Sequence, residues 1–200
     1  LVDWLNARFE SPSVAIARDS RRMGEEFVRA AAEVLAANGV RVLIYPRIEP
    51  TPALSFAVRD LGCSAGVCVT ASHNPAEYNG YKVYGSEGCQ ITTEAAQGIQ
   101  AAIDAVDIFE GVRRMPFADA ETAGLVTWIG DGTLDRYVEA ILAQSSGVGC
   151  SGLKVAYTPL HGAGLEPMRR VLSGIDVGKV AVEPTQAVSD ESFPTCPKPN

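Results

Sequence analysis

Three short apolar runs, Val14 to Ala17, Val40 to Tyr45 and Ala65 to Val69, stand about one helix apart, and that spacing constrains the fold more than anything else in the chain. Between the first two, Phe27, Val28, Ala31, Val34 and Leu35 fall at helical spacing within Glu25 to Asn38. Between the second and third, Thr51-Pro52 reads as an N-cap with proline at the first helical position, and Leu54, Ala57, Val58 and Leu61 share a face. Gly39 and Gly62 stand where each helix should end. Apolar runs without polar alternation suit strands buried on both faces, so the pattern predicts βαβ units around a mostly parallel sheet. Ligands of such sheets collect outside the carboxyl ends of the strands, which directs attention to the loop after Val69.

Further along, Asn79-Gly80 signals a tight turn, and Tyr81 to Tyr84 reads as a returning strand with Lys82 and Tyr84 on one face. Folding back at that turn can bring Lys82 towards the loop after Val69. Helices are predicted from Thr92 or Thr93 to about Ala105 and from Gly132 to Leu142. Gln144 to Gly152 is small, polar and Gly-rich, the best linker in the chain. Beyond it Leu153 to Tyr157, a helix from Leu165 to Leu172 and Val180 to Val182 form a second βαβ block. The expected fold is α/β, a mixed and mostly parallel sheet flanked by helices, with an incomplete second α/β domain of similar architecture. The division is expected at 1–146 and 147–200.

A chain of 200 residues that is 46% hydrophobic and 20% charged has the make-up of a folded protein. Its formal charge of −7 argues against nucleic acid or an acidic membrane as partner, since those surfaces attract clustered Lys and Arg. No apolar stretch approaches the roughly 20 residues that span a bilayer, so a soluble, cytoplasmic protein is expected. Five cysteines without a CxxC pair indicate neither a zinc site nor a full disulfide framework, and read as reduced, mostly buried thiols. The chain begins at Leu1 and stops at Asn200 after the Pro-rich run Phe193 to Pro199, which reads as truncation at both ends.

Ser72 sits between a buried strand and a Pro-containing turn, where a hydroxyl can project while its backbone is held still. It could act as a nucleophile or hold a phosphate. His73 is adjacent, and neighbouring side chains of an extended segment diverge, which makes His73 a poor base for Ser72. The other histidine, His161, lies across the linker, and no GxSxG elbow is present. A serine hydrolase is therefore disfavoured; a non-catalytic phosphosugar-binding module is the second rival.

Thr70-Ala71-Ser72-His73-Asn74-Pro75, followed by Tyr78-Asn79-Gly80-Tyr81-Lys82, resembles the active-serine signature of the α-D-phosphohexomutase superfamily. Arg18-Asp19-Ser20-Arg21 and Pro50-Thr51-Pro52 add to the resemblance. Tyr157-Thr158-Pro159-Leu160-His161-Gly162-Ala163-Gly164 is similar to the opening of the family's second domain, in wording that leans towards its phosphoglucomutase and phosphopentomutase branch.

The resemblance implies an intramolecular phosphotransferase, interconverting glucose 1-phosphate and glucose 6-phosphate, with phosphomannomutase or phosphopentomutase activity as the alternative, in which a phosphoserine at Ser72 passes its phosphoryl group through a bisphosphorylated sugar. Ser72, His73 and Lys82 would be catalytic, with Lys82 aiding proton transfer and neutralising the phosphoryl group. Thr70, Asn74, Arg21 and Arg18 would contact substrate or phosphate, the two arginines having an equal claim to a structural role. Mg²⁺ would meet Ser72 through its phosphate, and glucose 1,6-bisphosphate would serve as activator. The partner would be a small phosphosugar. The family's Asp-x-Asp-x-Asp-Arg metal loop, its glutamate-bearing sugar loop and its Arg-Ser-Gly-Thr phosphate segment do not occur, so this chain alone is expected to be inactive.

Overall fold

The computed structural model describes residues 1–197. Five strands, β1 (Ser13–Arg18), β2 (Arg41–Ile44), β3 (Ala65–Val69), β4 (Tyr81–Gly85) and β5 (Val126–Trp128), form one sheet in the order β4-β3-β1-β2-β5. All neighbours are parallel except β3 and β4, which are antiparallel. Every residue of β3 is buried, as is every residue of β1 but Arg18, the two-sided burial that their unbroken apolar runs require.

Helix α1 (Val2–Asn6) precedes the sheet, and α2 (Gly24–Ala37) and α3 (Thr51–Asp60) connect its first three strands. Val28, Ala32 and Leu35 of α2 pack with Val14, Ile16 and Val67 on one face. Leu54, Ala57 and Val58 of α3 pack with Ala15, Ala17 and Cys68 on the other. Because β2 and β3 flank β1 from opposite sides, the strand order reverses at β1, and the loops leaving β1 and β3 meet at the carboxyl edge of the sheet.

The remaining elements are α4 (Thr93–Asp104), α5 (Phe117–Thr122), α6 (Asp131–Leu142), β6 (Lys154–Tyr157), α7 (Leu165–Gly174) and β7 (Lys179–Val182). Strands β6 and β7 pair in parallel as a separate two-stranded sheet. Residues 145–150, within the expected linker, carry no helix or strand.

Several details differ from the sequence reading. The elements α1, α5 and β5 have no counterpart in it. Thr51 lies inside α3 with Pro50 at the cap, and its hydroxyl meets the Cys68 thiol at 3.6 Å instead of capping the helix. Asn79-Gly80 does not close a two-residue hairpin: residues 70–80 form a wide loop, and Gly80 is needed because a Cβ there would stand 2.6 Å from the Thr70 carbonyl oxygen. Of the five cysteines only Cys63 and Cys68 are buried.

Candidate active site

The loop after β3 is built from its backbone outward. Thr70 donates its N–H to the Gly80 carbonyl at 3.0 Å, closing the loop's base. Its hydroxyl donates to Asp19 Oδ2 at 2.5 Å and accepts the Ser72 N–H at 2.9 Å. This turn sends Ser72 into the left-handed region, with φ at 58°, a conformation that costs a non-glycine residue about 1–2 kcal/mol. The Ser72 side chain stands exposed at the carboxyl end of β3.

Arg21 lies beneath the loop and is 3% exposed. Its Nη1 donates to the carbonyls of Pro75 and Tyr78, both at 2.8 Å, and its Nη2 to those of Ser72 at 2.9 Å and Asn74 at 2.6 Å. Asp19 pairs with Arg21 Nε at 3.3 Å and accepts the Arg21 backbone N–H through Oδ1 at 3.0 Å. Arg21 through its four Nη bonds and Thr70 through its hydroxyl thus fix the loop from below, and Thr70 also lines the crevice beside Ser72. Arg18 turns away and pairs with Glu25 of α2 at 3.5 Å.

Ser72, His73 and Asn74 are exposed at the start of the loop, and Glu77 and Tyr78 further along it. His73 Nδ1 is 3.5 Å from Ser72 Oγ, too long for a strong hydrogen bond. Lys82 lies opposite Cys68 in the β3–β4 pair, so it shares the sheet face of Cys68. Burial pushes the Cys68 thiol up to about 11; its bond with Thr51 and the charge of Lys82 oppose that shift, while Asp19 adds to it.

The crevice holds about 390 Å³ and is walled on one side by Asp19, Glu49, Cys68 and Ser72 and on the other by Leu160, Ala163 and Phe193. A larger groove of about 910 Å³ on the α2 face, lined by Phe27, Tyr78, Tyr81 and Ile103, is mostly apolar and takes in no sequence-predicted site residue. The sequence-predicted residues Thr70, Ser72 and His73 line the smaller space.

Two residues of that space escaped the sequence reading. Glu49 is buried with Oε1 bonded by Arg47 Nε at 2.9 Å and no protein partner at Oε2. Burial pushes its carboxyl upward and Arg47 pulls it back. Its signal was an acidic residue directly before Pro50-Thr51-Pro52. Phe193 is buried with its ring 5.3 Å from the Arg21 guanidinium, and no local pattern marks it. His161 is 3% exposed. Its Nδ1 meets the Val188 carbonyl at 2.9 Å and so carries the proton, while its Nε2 meets the Thr195 hydroxyl at 2.9 Å. Neither nitrogen is left for Ser72.

Among the described residues no group of three or more His, Cys, Asp or Glu side chains could hold a metal. Asp19, the carboxylate nearest Ser72 in the loop's hydrogen-bond network, already has both oxygens engaged. These residues do not by themselves fit a Mg²⁺ site. No helix among them is long and apolar enough to cross a membrane.

Residues 1–108 match the model of the phosphoglucomutase/phosphomannomutase α/β/α domain I, and residues 135–200 match that of domain II. The chain belongs to this family. It is 31% identical over 195 residues to the phosphoglucomutase of Staphylococcus saprophyticus, covering 98% of this chain and 35% of that protein. It is 34% identical over 203 residues to a protein of Haemophilus influenzae named "Probable phosphomannomutase", covering 100% and 40%. A crystal structure from Thermus thermophilus, described as a "putative phosphomannomutase", superposes with a TM-score of 0.81 at 28% identity over 97% of this chain and 41% of that one. The chain thus spans about 35–41% of the length of these family members.

Proposed function

We infer that this chain carries the phosphoryl-accepting serine of a phosphohexomutase, an isomerase that moves phosphate between two hydroxyls of one sugar. The observation that carries this is Ser72: an exposed hydroxyl on a rigid loop at a strand's carboxyl end, opening into a crevice between the two sheets. Phosphoryl transfer asks a protein for in-line placement and charge more than for covalent chemistry, and a fixed loop supplies the placement. In the forward half-reaction the Ser72 Oγ–P bond breaks as a sugar oxygen bonds to phosphorus; the sugar hydroxyl gives up its proton and the serine oxygen takes one. The return half-reaction restores phosphoserine from the other phosphate.

Lys82, on the sheet face of Cys68, is the residue assigned to proton handling and charge neutralisation, and His73 and Asn74 are assigned to the incoming phosphosugar. Interconversion of glucose 1-phosphate and glucose 6-phosphate, with glucose 1,6-bisphosphate as activator, is the specific reaction inferred; a mannose phosphate is the alternative named among the relatives. Mg²⁺ would contact the phosphate on Ser72 with its other ligands coming from outside this set of residues. The domain division is inferred at 1–146 and 147–200. A hydrolase reading is weakened because His161 commits both ring nitrogens elsewhere.

The test is a coupled assay on the protein that carries this chain, supplied with Mg²⁺ and bisphosphate, using glucose 1-phosphate and mannose 1-phosphate in parallel. Mutase turnover that Lys82→Ala slows in single-turnover transfer supports the reading. Turnover of neither sugar would contradict it.

A further inference from the structure

The residues that hold the serine loop do not all come from the sheet that carries it. Arg21 offers five N–H groups: four point at carbonyls of residues 72–78, while Nε stands 3.3 Å from Asp19 Oδ2 as an ion pair without a hydrogen bond. What remains open on a planar guanidinium is its face. Phe193, from the segment after β7, lies there with its ring centroid 5.3 Å from the guanidinium carbon, itself 4% exposed. The neighbouring side chain repeats the contact more weakly: Arg22 pairs with Glu191 at 3.8 Å.

Phe193 is itself held by a network inside the second block. The Phe193 N–H donates to the Asp190 carbonyl at 3.3 Å, and the Asp190 N–H to the His161 carbonyl at 3.4 Å. The His161 ring clamps the same segment at Val188 and Thr195. The path of contacts is therefore continuous from His161 through Phe193 to Arg21, and from Arg21 to the carbonyl of Ser72.

We propose that Arg21 and Phe193 are positioning residues through which the second βαβ block sets the geometry of Ser72. Ser72 is in the left-handed region and is held at both ends of its peptide unit, its N–H by Thr70 and its carbonyl by Arg21. A backbone conformation of that kind persists only where its surroundings over-determine it. Phe193 keeps water from the guanidinium face, so that the four carbonyl bonds stay the best partners Arg21 has; with the ring gone, water competes for Arg21 and the loop loosens. A lysine cannot replace the fork, since an ammonium has neither the planar face nor the paired donors.

The inference rests on Ser72 being the transferring residue, and the experiment separates the two. Arg21→Lys, Phe193→Ala, Phe193→Leu and the double variant Arg21→Lys/Phe193→Ala are made in the protein that carries this chain. Turnover is measured with hydrogen exchange at the amides of residues 72–80. Arg21→Lys is expected to lower kcat about a hundredfold with KM within about threefold, as for a small misplacement of a reacting group. Phe193→Ala is expected to lower kcat about tenfold and to speed exchange across the loop, Phe193→Leu less, and the double variant to match Arg21→Lys alone. Multiplying effects in the double variant would overturn the proposal, as would loop amides in Phe193→Ala as protected as in the unaltered protein. Should Arg21→Lys fail to fold, the two Phe193 variants decide by exchange and kcat. Exchange reads the loop whether or not Ser72 carries phosphate, so a protein that shows the coupling but no mutase turnover refutes the functional reading alone.

Discussion

The loops that leave β3 and β6 have one local build and opposite outcomes. Thr70-Ala71-Ser72-His73 and Thr158-Pro159-Leu160-His161 each follow a parallel-sheet strand. In each, the threonine hydroxyl accepts the N–H of the residue two positions on, at 2.9 Å and 3.1 Å, and that residue is left-handed, with φ of 58° and 51°. Each hydroxyl then donates onward, Thr70 to Asp19 and Thr158 to the Gln186 amide oxygen. After β3 the loop is clamped from beneath by Arg21 and shows Ser72 and His73 to solvent. After β6 the histidine is the clamp: His161 is swallowed by the loop it organises. The same turn yields a presented hydroxyl or a buried strut, depending on which side of it the anchoring side chain occupies.

The largest contrast is in what each loop does for turnover. Ser72→Ala is expected to cut mutase turnover by at least about a thousandfold, as loss of a covalent nucleophile does, while leaving the unfolding midpoint nearly unchanged. Near-normal activity in that variant would put the two loops on the same structural footing.

Next in size is the histidine pair. His161→Ala removes a buried ring with two hydrogen bonds and should cost about 2–4 kcal/mol in urea unfolding. His73→Ala, on an exposed side chain, should stay within about 0.5 kcal/mol. Equal costs would mean that His73 is also a strut.

A smaller effect compares the threonines. Thr70→Val strands the Ser72 N–H and an Asp19 oxygen in a part-buried site, for about 1–3 kcal/mol. Thr158→Val, whose bonds are exposed, should cost under about 1 kcal/mol. Reversal of that order in thermal melts would show that Asp19 does not hold the serine loop.

The smallest effect is backbone strain. Ser72→Gly should gain about 0.5–1 kcal/mol from relief of the left-handed conformation. Leu160→Gly gains the same relief but gives up apolar contact, so it should come out near zero or below. Destabilisation by Ser72→Gly would show that the turn relies on the serine side chain.

The parts of the molecule legible in the sequence are those whose signal is local. The runs at Val14 and Ala65 announced β1 and β3 because both faces of those strands are covered, and the run at Val40 announced β2, where Val42 and Ile44 are buried and Leu43 is half-buried. The three residues of β5 lie at the sheet edge with Trp128 half exposed, its ring nitrogen bonded to Glu121, and leave no apolar run to read. The exposed position of Ser72 at the end of β3 was legible because the strand and the turn that bound it are contiguous in sequence. The work of Arg21 was not: its partners are backbone carbonyls 51 to 57 positions away, which carry no side-chain signature. Asn79-Gly80 misled for the complementary reason. The pair that favours a tight hairpin serves here to let Gly80 approach Thr70 at the base of a wide loop.

The central claim is that the Ser72 hydroxyl carries the phosphoryl group. Incubation of the protein that carries this chain with Mg²⁺ and glucose 1,6-bisphosphate, followed by intact-mass and fragment-mass measurement, tests it most directly. The expected result is one phosphoryl group, localised to Ser72 and absent from Ser72→Ala. A phosphoryl group on another residue, or none while sugar phosphates are being interconverted, would contradict it.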